Sequence, residues 1–246
     1  MTVNWLQADW PAADFIKAGT TLRQGGVSNG VYSSLNLGTH VGDDLSAVKK
    51  NRSILMQSLN LANEPQWLEQ VHSTKAILLP NEHLIPKADA SYTSEKNIVC
   101  AVMTADCLPL LITDKKGSCV AAIHAGWRGL CDGIIETTIK NLAAEPASLL
   151  VWLGPAIGPN VYEIGEEVYD AFTQHDIGAK TSFIATSEKH WLFDIYRLAT
   201  LRLHRLGVNK IYGGDHCTLS EEEQFFSYRR DDITGRMASM IWIEEK

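Results

Sequence analysis

The chain has 246 residues, 45% hydrophobic and 21% charged, with a net charge of −7 at pH 7. That length buries a sizeable core as one domain, and that charge disfavours nonspecific attraction to nucleic acid or anionic membrane, both of which reward a basic face. There is no run near the roughly 18 apolar residues of a membrane span, no secretory leader in MTVNWLQADWPAADF, and too few cysteines (five, an odd number) for a disulfide scaffold; a cytoplasmic protein is expected.

In chain order, short apolar and β-branched runs predict strands over Phe15–Arg23, Ala76–Leu79, Ile98–Met103, Pro109–Thr113, Cys119–His124, Leu149–Leu153 and Met237–Ile243. Helical spacing predicts a helix over Ser46–Leu59 with Ser46 as its cap, and one over Trp127–Leu142 carrying Leu130, Ile134, Ile135, Ile139 and Leu142 on one stripe. Two more are expected over Gly165–Phe172 and Leu192–Leu206, the last stopped by Gly207. Strands cluster first and then mix with helices. That order favours an α+β fold with a mixed sheet, and the absence of a repeat or linker favours a single domain over residues 1–246. No heptad is visible, so a monomer is expected.

The stretch from Thr104 to Gly129 is the most informative. It holds TADCLP, a strand, then HAGWRG, so Cys107 and His124 fall at strand ends, where a rigid scaffold can aim side chains into a site. Upstream, QVHS places His72 after an apolar run. A cysteine and two histidines can make an activated thiolate nucleophile, or hold one metal ion with a fourth position open to water or substrate. The spacings are long, with 34 residues between His72 and Cys107 and 16 between Cys107 and His124. The same residues also read as a buried small thiol and two locally bonded histidines, and spacing does not separate the accounts.

Two further clusters stand out. TLRQGGVSNGVYSSLNLG combines glycines with Arg23, suited to an anion or to a plain surface loop. FFSYRRDDITGR sets aromatics beside Arg229, Arg230 and Arg236, suited to a planar base and an anion, or to a core strand and a charged turn. His83, His175, His190 and His204 sit in polar or helical surface contexts. His40 and His216 neighbour glycines and acids and could lie near a site. Cys100, Cys119 and Cys131 fall in apolar runs, and Cys217 is ambiguous.

The chain resembles the YfiH family, also called the laccase-domain or polyphenol-oxidase family. The resemblance is carried in order by RQGGVS, YSSLNLG, VGDD, LEQVH, ADASYT, AVMTADCLPLL, AAIHAGWRGLC, WLGPAIGP, GGDHCT and FFSYRRDDITGRMAS, from about Thr21 to Ile243. It implies a layered α/β sandwich of mixed sheets flanked by helices, similar to cytotoxic necrotizing factor. It implies zinc ligands at His72, Cys107 and His124. The activity it implies is phosphate-dependent cleavage of adenosine, inosine, guanosine and methylthioadenosine, with an adenosine deaminase activity. In that reading Asp106 shuttles a proton, Arg23, Arg229 and Arg52 hold phosphate, Phe226 stacks the base and Asn36 meets the ribose. Ser73 departs from the family's pattern, where a glycine follows the first histidine. Alternatives are a copper-dependent polyphenol oxidase, a peptidoglycan-precursor editing hydrolase using Cys107 and His124, and a binding module without turnover. Eight histidines with no His-x-His pair argue against a multicopper cluster.

Overall fold

The computed structural model describes residues 3–174 and 176–245; the expectation for His175 lies outside them. The elements are β1 (Trp5–Gln7), β2 (Ile16–Thr21), α1 (Leu45–Ser58), β3 (Ala76–Leu78), β4 (Ala90–Thr93), β5 (Cys100–Thr104), β6 (Leu108–Asp114), β7 (Val120–Ala125), α2 (Trp127–Asp132) and α3 (Ile134–Asn141). They continue with β8 (Leu149–Leu153), β9 (Glu163–Gly165), α4 (Glu166–Thr173), β10 (Phe183–Ser187), β11 (His190–Phe193), α5 (Ile195–Arg205), β12 (Lys210–Gly213), α6 (Tyr228–Asp231) and β13 (Met237–Ile243).

Alternation along the strands explains the layering. In β6, Leu108, Leu110 and Ile112 point to one core, shared with Leu130, Ile134 and Ile135 of the α2–α3 region and Leu198 of α5. Leu111, one residue out of phase, joins Ile16, Val102, Ile241 and Val120 in a second core between two sheets. Ala101, Met240 and Trp242 face the other way, onto Ile54 and Leu55 of α1. The result is four layers, with α1 on an antiparallel sheet ordered β1-β2-β13-β5, and that sheet on a mixed sheet ordered β12-β8-β6-β7-β4-β3 backed by helices. Strands buried on both faces read as continuous apolar runs, which is why β5, β6, β7, β8 and β13 were predictable. A small antiparallel sheet, β10-β11-β9, flanks the helical layer.

Several boundaries differ from the sequence expectation. The Trp127–Leu142 stripe breaks at Gly133, whose φ of 102° no right-handed helix accommodates, giving α2 and α3. The first helix is capped by the Asp44 carboxylate, which accepts from the Ser46 amide, so Ser46 is inside the helix. Leu192 and Phe193 belong to β11, and Asp194 then caps α5 by accepting from the Arg197 amide. Among the described residues no helix is long and apolar enough to cross a membrane.

Candidate metal centre

The site forms at one end of the two-sheet sandwich. The turn from β5 into β6 carries Cys107, the end of β7 carries His124, and a loop along the open edge of β5 carries His72. That edge is closed by Gln70. Its side-chain amide donates to the Met103 carbonyl (2.8 Å) and accepts from the Met103 amide (2.7 Å), standing in for a strand partner and fixing the His72 loop.

The Cys107 Sγ lies 3.8 Å from His72 Nε2, and the donor atoms of His72, Cys107 and His124 all lie within 4.8 Å of one another. Tetrahedral coordination at ordinary bond lengths puts a sulfur and a nitrogen about 3.6 Å apart. One sulfur and two imidazoles are a donor set for a borderline or soft transition metal, and three ligands leave a position open toward the cavity. Gly126 is required here, because a Cβ on it would fall 2.5 Å from His72 Cδ2 and 3.2 Å from the Cys107 sulfur.

Behind the donors sits Asp89, fully buried just before β4. One carboxylate oxygen accepts from the His124 Nδ1 (2.8 Å) and the His72 amide (2.9 Å). The other accepts from the Ser73 amide (2.6 Å), the Ser73 hydroxyl (2.7 Å) and the Val71 amide (3.2 Å). Asp89 thereby fixes the His124 tautomer that turns Nε2 to the site, and holds His72 at a φ of 59°. Burial pushes the Asp89 carboxyl up, but its hydrogen bonds from His124 and Ser73 outweigh that and bring it down to about 2. Burial also pushes the Cys107 thiol up, while His124 and His72 outweigh it and pull the thiol down to about 6. His124 is the converse: burial opposes its charge, and Cys107 and Asp89 raise it to about 9. The metal-free site is thus a thiolate–imidazolium pair backed by a carboxylate. Ser73 turns its hydroxyl into this network.

A cavity of about 330 Å³ opens over the donors, at the lower end of small-molecule pockets. Its walls include Tyr162, Tyr228, Arg229, Arg236, His40 and Met103. Asp106 lines it too, with a φ of 93°, but both its oxygens are engaged, one by the Thr218 hydroxyl (2.6 Å) and one by the Arg229 amide (2.6 Å). Beside the expected proton-shuttle role, it clamps the Cys107 turn to the segments that build the far wall.

Of the expected substrate contacts, the structure brings only Arg229 to the cavity. Arg23 donates to the carbonyls of Ser33 and Glu222, lies over the Phe226 ring, and lines a separate crevice with Glu222 and Asp231. Arg52 is pinned by two donations to the Leu37 carbonyl and stacks on Trp67. Phe226 is fully buried and packs behind the cavity wall. Asn36 is also fully buried, donating to Asp43 and Gly38 and accepting from the amides of Gly38 and Arg236. A sequence motif marks these four by residue type and does not report which way a side chain is spent. Asp89, Arg236, Tyr162 and Tyr228 were missed as site residues. Asp89 stands in ADASYT and Arg236 in the aromatic–arginine cluster, so both were in view without a spacing that marked them. Cys100 and Cys119 are core thiols, pushed up by burial to about 12 and about 11.

Fold and site together define a class: a four-layer sandwich with one His/Cys/His donor set at the end of its sheets. The family described as multi-copper polyphenol oxidoreductase laccase matches residues 17–244. A Haemophilus influenzae protein named purine nucleoside phosphorylase is 51% identical over 241 residues, covering 97% of this chain and 99% of that protein. The Escherichia coli purine nucleoside phosphorylase YfiH is 51% identical, covering 95% and 96%. A Neisseria meningitidis crystal structure superposes with a TM-score of 0.94 at 48% identity, covering 98% of this chain and 100% of that one. The chain belongs to the YfiH, or laccase-domain, family.

Proposed function

We propose that this protein is a zinc-dependent purine nucleoside phosphorylase acting on adenosine, inosine, guanosine and methylthioadenosine, with an adenosine deaminase activity. What carries the reading is the pairing of near-full-length relatives named purine nucleoside phosphorylases with a cavity that sets a metal donor set opposite cationic and aromatic walls. His72, Cys107 and His124 would hold the zinc. Bound there, zinc would supply Lewis acidity at the floor of the cavity.

The protein's own groups account for the rest. Phosphorolysis forms a bond from a phosphate oxygen to C1′ and breaks the bond from C1′ to the base, which leaves with the electron pair and takes a proton. Arg229 lies exposed at the mouth, its guanidinium over the Tyr162 ring, positioned to hold an anion beside a planar group. Tyr162 and Tyr228 offer ring faces for the base. Deamination exchanges the adenine amino group for a water oxygen and needs a proton acceptor. His40 lines the cavity, and desolvation with the nearby Arg236 and Arg52 holds its pKa below the usual imidazole value, which favours the neutral ring such a role needs.

A second reading, a copper-dependent phenol oxidase, is favoured by the family's description and by a thioether, Met103, among the residues lining the cavity. The deciding experiment is product analysis of adenosine and inosine with and without phosphate, beside Cys107→Ala. Free base and ribose 1-phosphate are expected only with phosphate and only with Cys107 intact. No product from zinc-replete protein would remove the nucleoside reading and leave phenols and cell-wall precursors to be tried.

A further inference from the structure

Two cations line the cavity in addition to the donor set. The protein as a whole carries −7, yet two guanidiniums line this cavity, from Arg229 and Arg236. Its one carboxylate, Asp106, keeps its charge but is held by the Thr218 hydroxyl and the Arg229 backbone amide rather than by either guanidinium. Arg236 has no carboxylate partner among the described residues.

Arg236 is also built in place. Its backbone amide donates to the buried Asn36 Oδ1 (2.9 Å), and its Nη1 donates to the carbonyls of Thr234 (2.9 Å) and Gly235 (3.0 Å). Its stem runs so close to Gly38 that a Cβ there would fall 2.9 Å from Arg236 Cγ. The guanidinium sits 6.0 Å from the Tyr228 ring centroid. Nε and Nη2 have no hydrogen-bond partner among the described residues. An arginine stays charged at any physiological pH, so a half-buried guanidinium at the cavity wall, with two unbonded donors and no carboxylate within ion-pair distance among the described residues, is a ready grip for an incoming anion.

We propose that Arg236 is the principal oxyanion-binding residue of this cavity, gripping a phosphate group through its free donors with Arg229 as the second cation. Two guanidiniums match the double charge of a phosphate, and the fork of each suits its oxygens. The phosphate is inorganic phosphate, or else the ester phosphate of a nucleotide. Choosing the former rests on the phosphorylase reading; the oxyanion site itself does not. Asn36 acts here through Arg236, as a positioning residue.

The test is calorimetric titration of inorganic phosphate, adenosine and adenosine monophosphate into the zinc-replete full-length protein. The variants are Arg236→Met, Arg236→Lys and, outside the cavity, Arg23→Met. Phosphate affinity is expected to fall at least tenfold in Arg236→Met and to recover only partly in Arg236→Lys, where a point charge replaces the fork. Arg23→Met should stay within twofold of the parent, and adenosine affinity within twofold in all three. If Arg236→Met loses zinc or melts early, Arg236→Lys carries the comparison. Parent-like phosphate binding by a folded Arg236 variant overturns the proposal, as does a parent protein that binds neither phosphate nor the monophosphate. Arg236-dependent binding of the monophosphate alone keeps the site and removes inorganic phosphate as its ligand. Arg236-dependent phosphate binding without release of base keeps the site and removes the phosphorylase reading.

Discussion

At the residue scale, Cys107 shows how position changes one side chain. Cys100, seven residues earlier, is sealed in the core and its thiol is pushed up to about 12, whereas Cys107 faces two imidazoles and is pulled down to about 6. Alkylation of the metal-free protein by iodoacetamide should therefore label Cys107 first, with a rate rising through a midpoint near pH 6 and levelling above it. Zinc should protect it; peptide mapping by mass spectrometry reads both. Asp89 carries a second prediction. Its folded pKa lies below its unfolded value, so it stabilises the metal-free protein above about pH 4, and that contribution fades as pH falls toward 2. Asp89→Asn should cost about 2 kcal/mol in urea unfolding at pH 7 and flatten the acid limb. It should also weaken zinc binding roughly ten- to a hundredfold by freeing the His124 ring; chelator competition measures this. The three donors were legible from residue type and family resemblance. Asp89 was not, because a buried carboxylate that receives five hydrogen bonds looks in sequence like any aspartate beside an alanine.

At the element scale, the site depends on strand ends meeting turns. HAGW requires a residue without a side chain where β7 gives way to α2, and Gly126→Ala should push His72 off the sulfur. The expected outcome is a folded protein with much reduced zinc content by atomic absorption; full occupancy would show that the His72 loop can move aside. Asp106→Asn tests the clamp. An amide cannot accept from both Thr218 and the Arg229 N–H with both of its terminal atoms, so a loss of about 1–3 kcal/mol is expected in denaturant unfolding. The buried strands were readable because their apolar runs are continuous. The short strands β1, β4, β9 and β12 were not, since three or four residues give no period. β10 was missed for a different reason: four of its five residues are exposed, so it has no apolar face to announce it. The α2–α3 break was signalled by Gly133, but a glycine in a helical stripe more often costs a little stability than ends the helix.

At the scale of the whole molecule, a mixed sheet was implied in outline by the order of strands and helices, and a layered sandwich by family resemblance, but not the number of layers. The face-to-face pairing of the two sheets was beyond reach, because it depends on β13 inserting between β2 and β5 from the far end of the chain. Metal binding should raise the melting temperature of the whole, since ligands from three segments tie both sheets and their edge loop together. Differential scanning calorimetry with and without chelator should show one transition moving upward with zinc.

The late position of β13 has a consequence for biosynthesis. Until those last residues leave the ribosome, β2 and β5 are two open edges with no partner between them, and the turn that presents Cys107 hangs from one of those edges. Arg236, the residue just before β13, arrives in the same final stretch. A nascent chain without β13 therefore lacks a settled Cys107 turn and the Arg236 part of the cavity wall. In the interval before closure the chain exposes apolar strands to pairing with other chains, which makes the arrival of β13 the point at which aggregation and maturation compete.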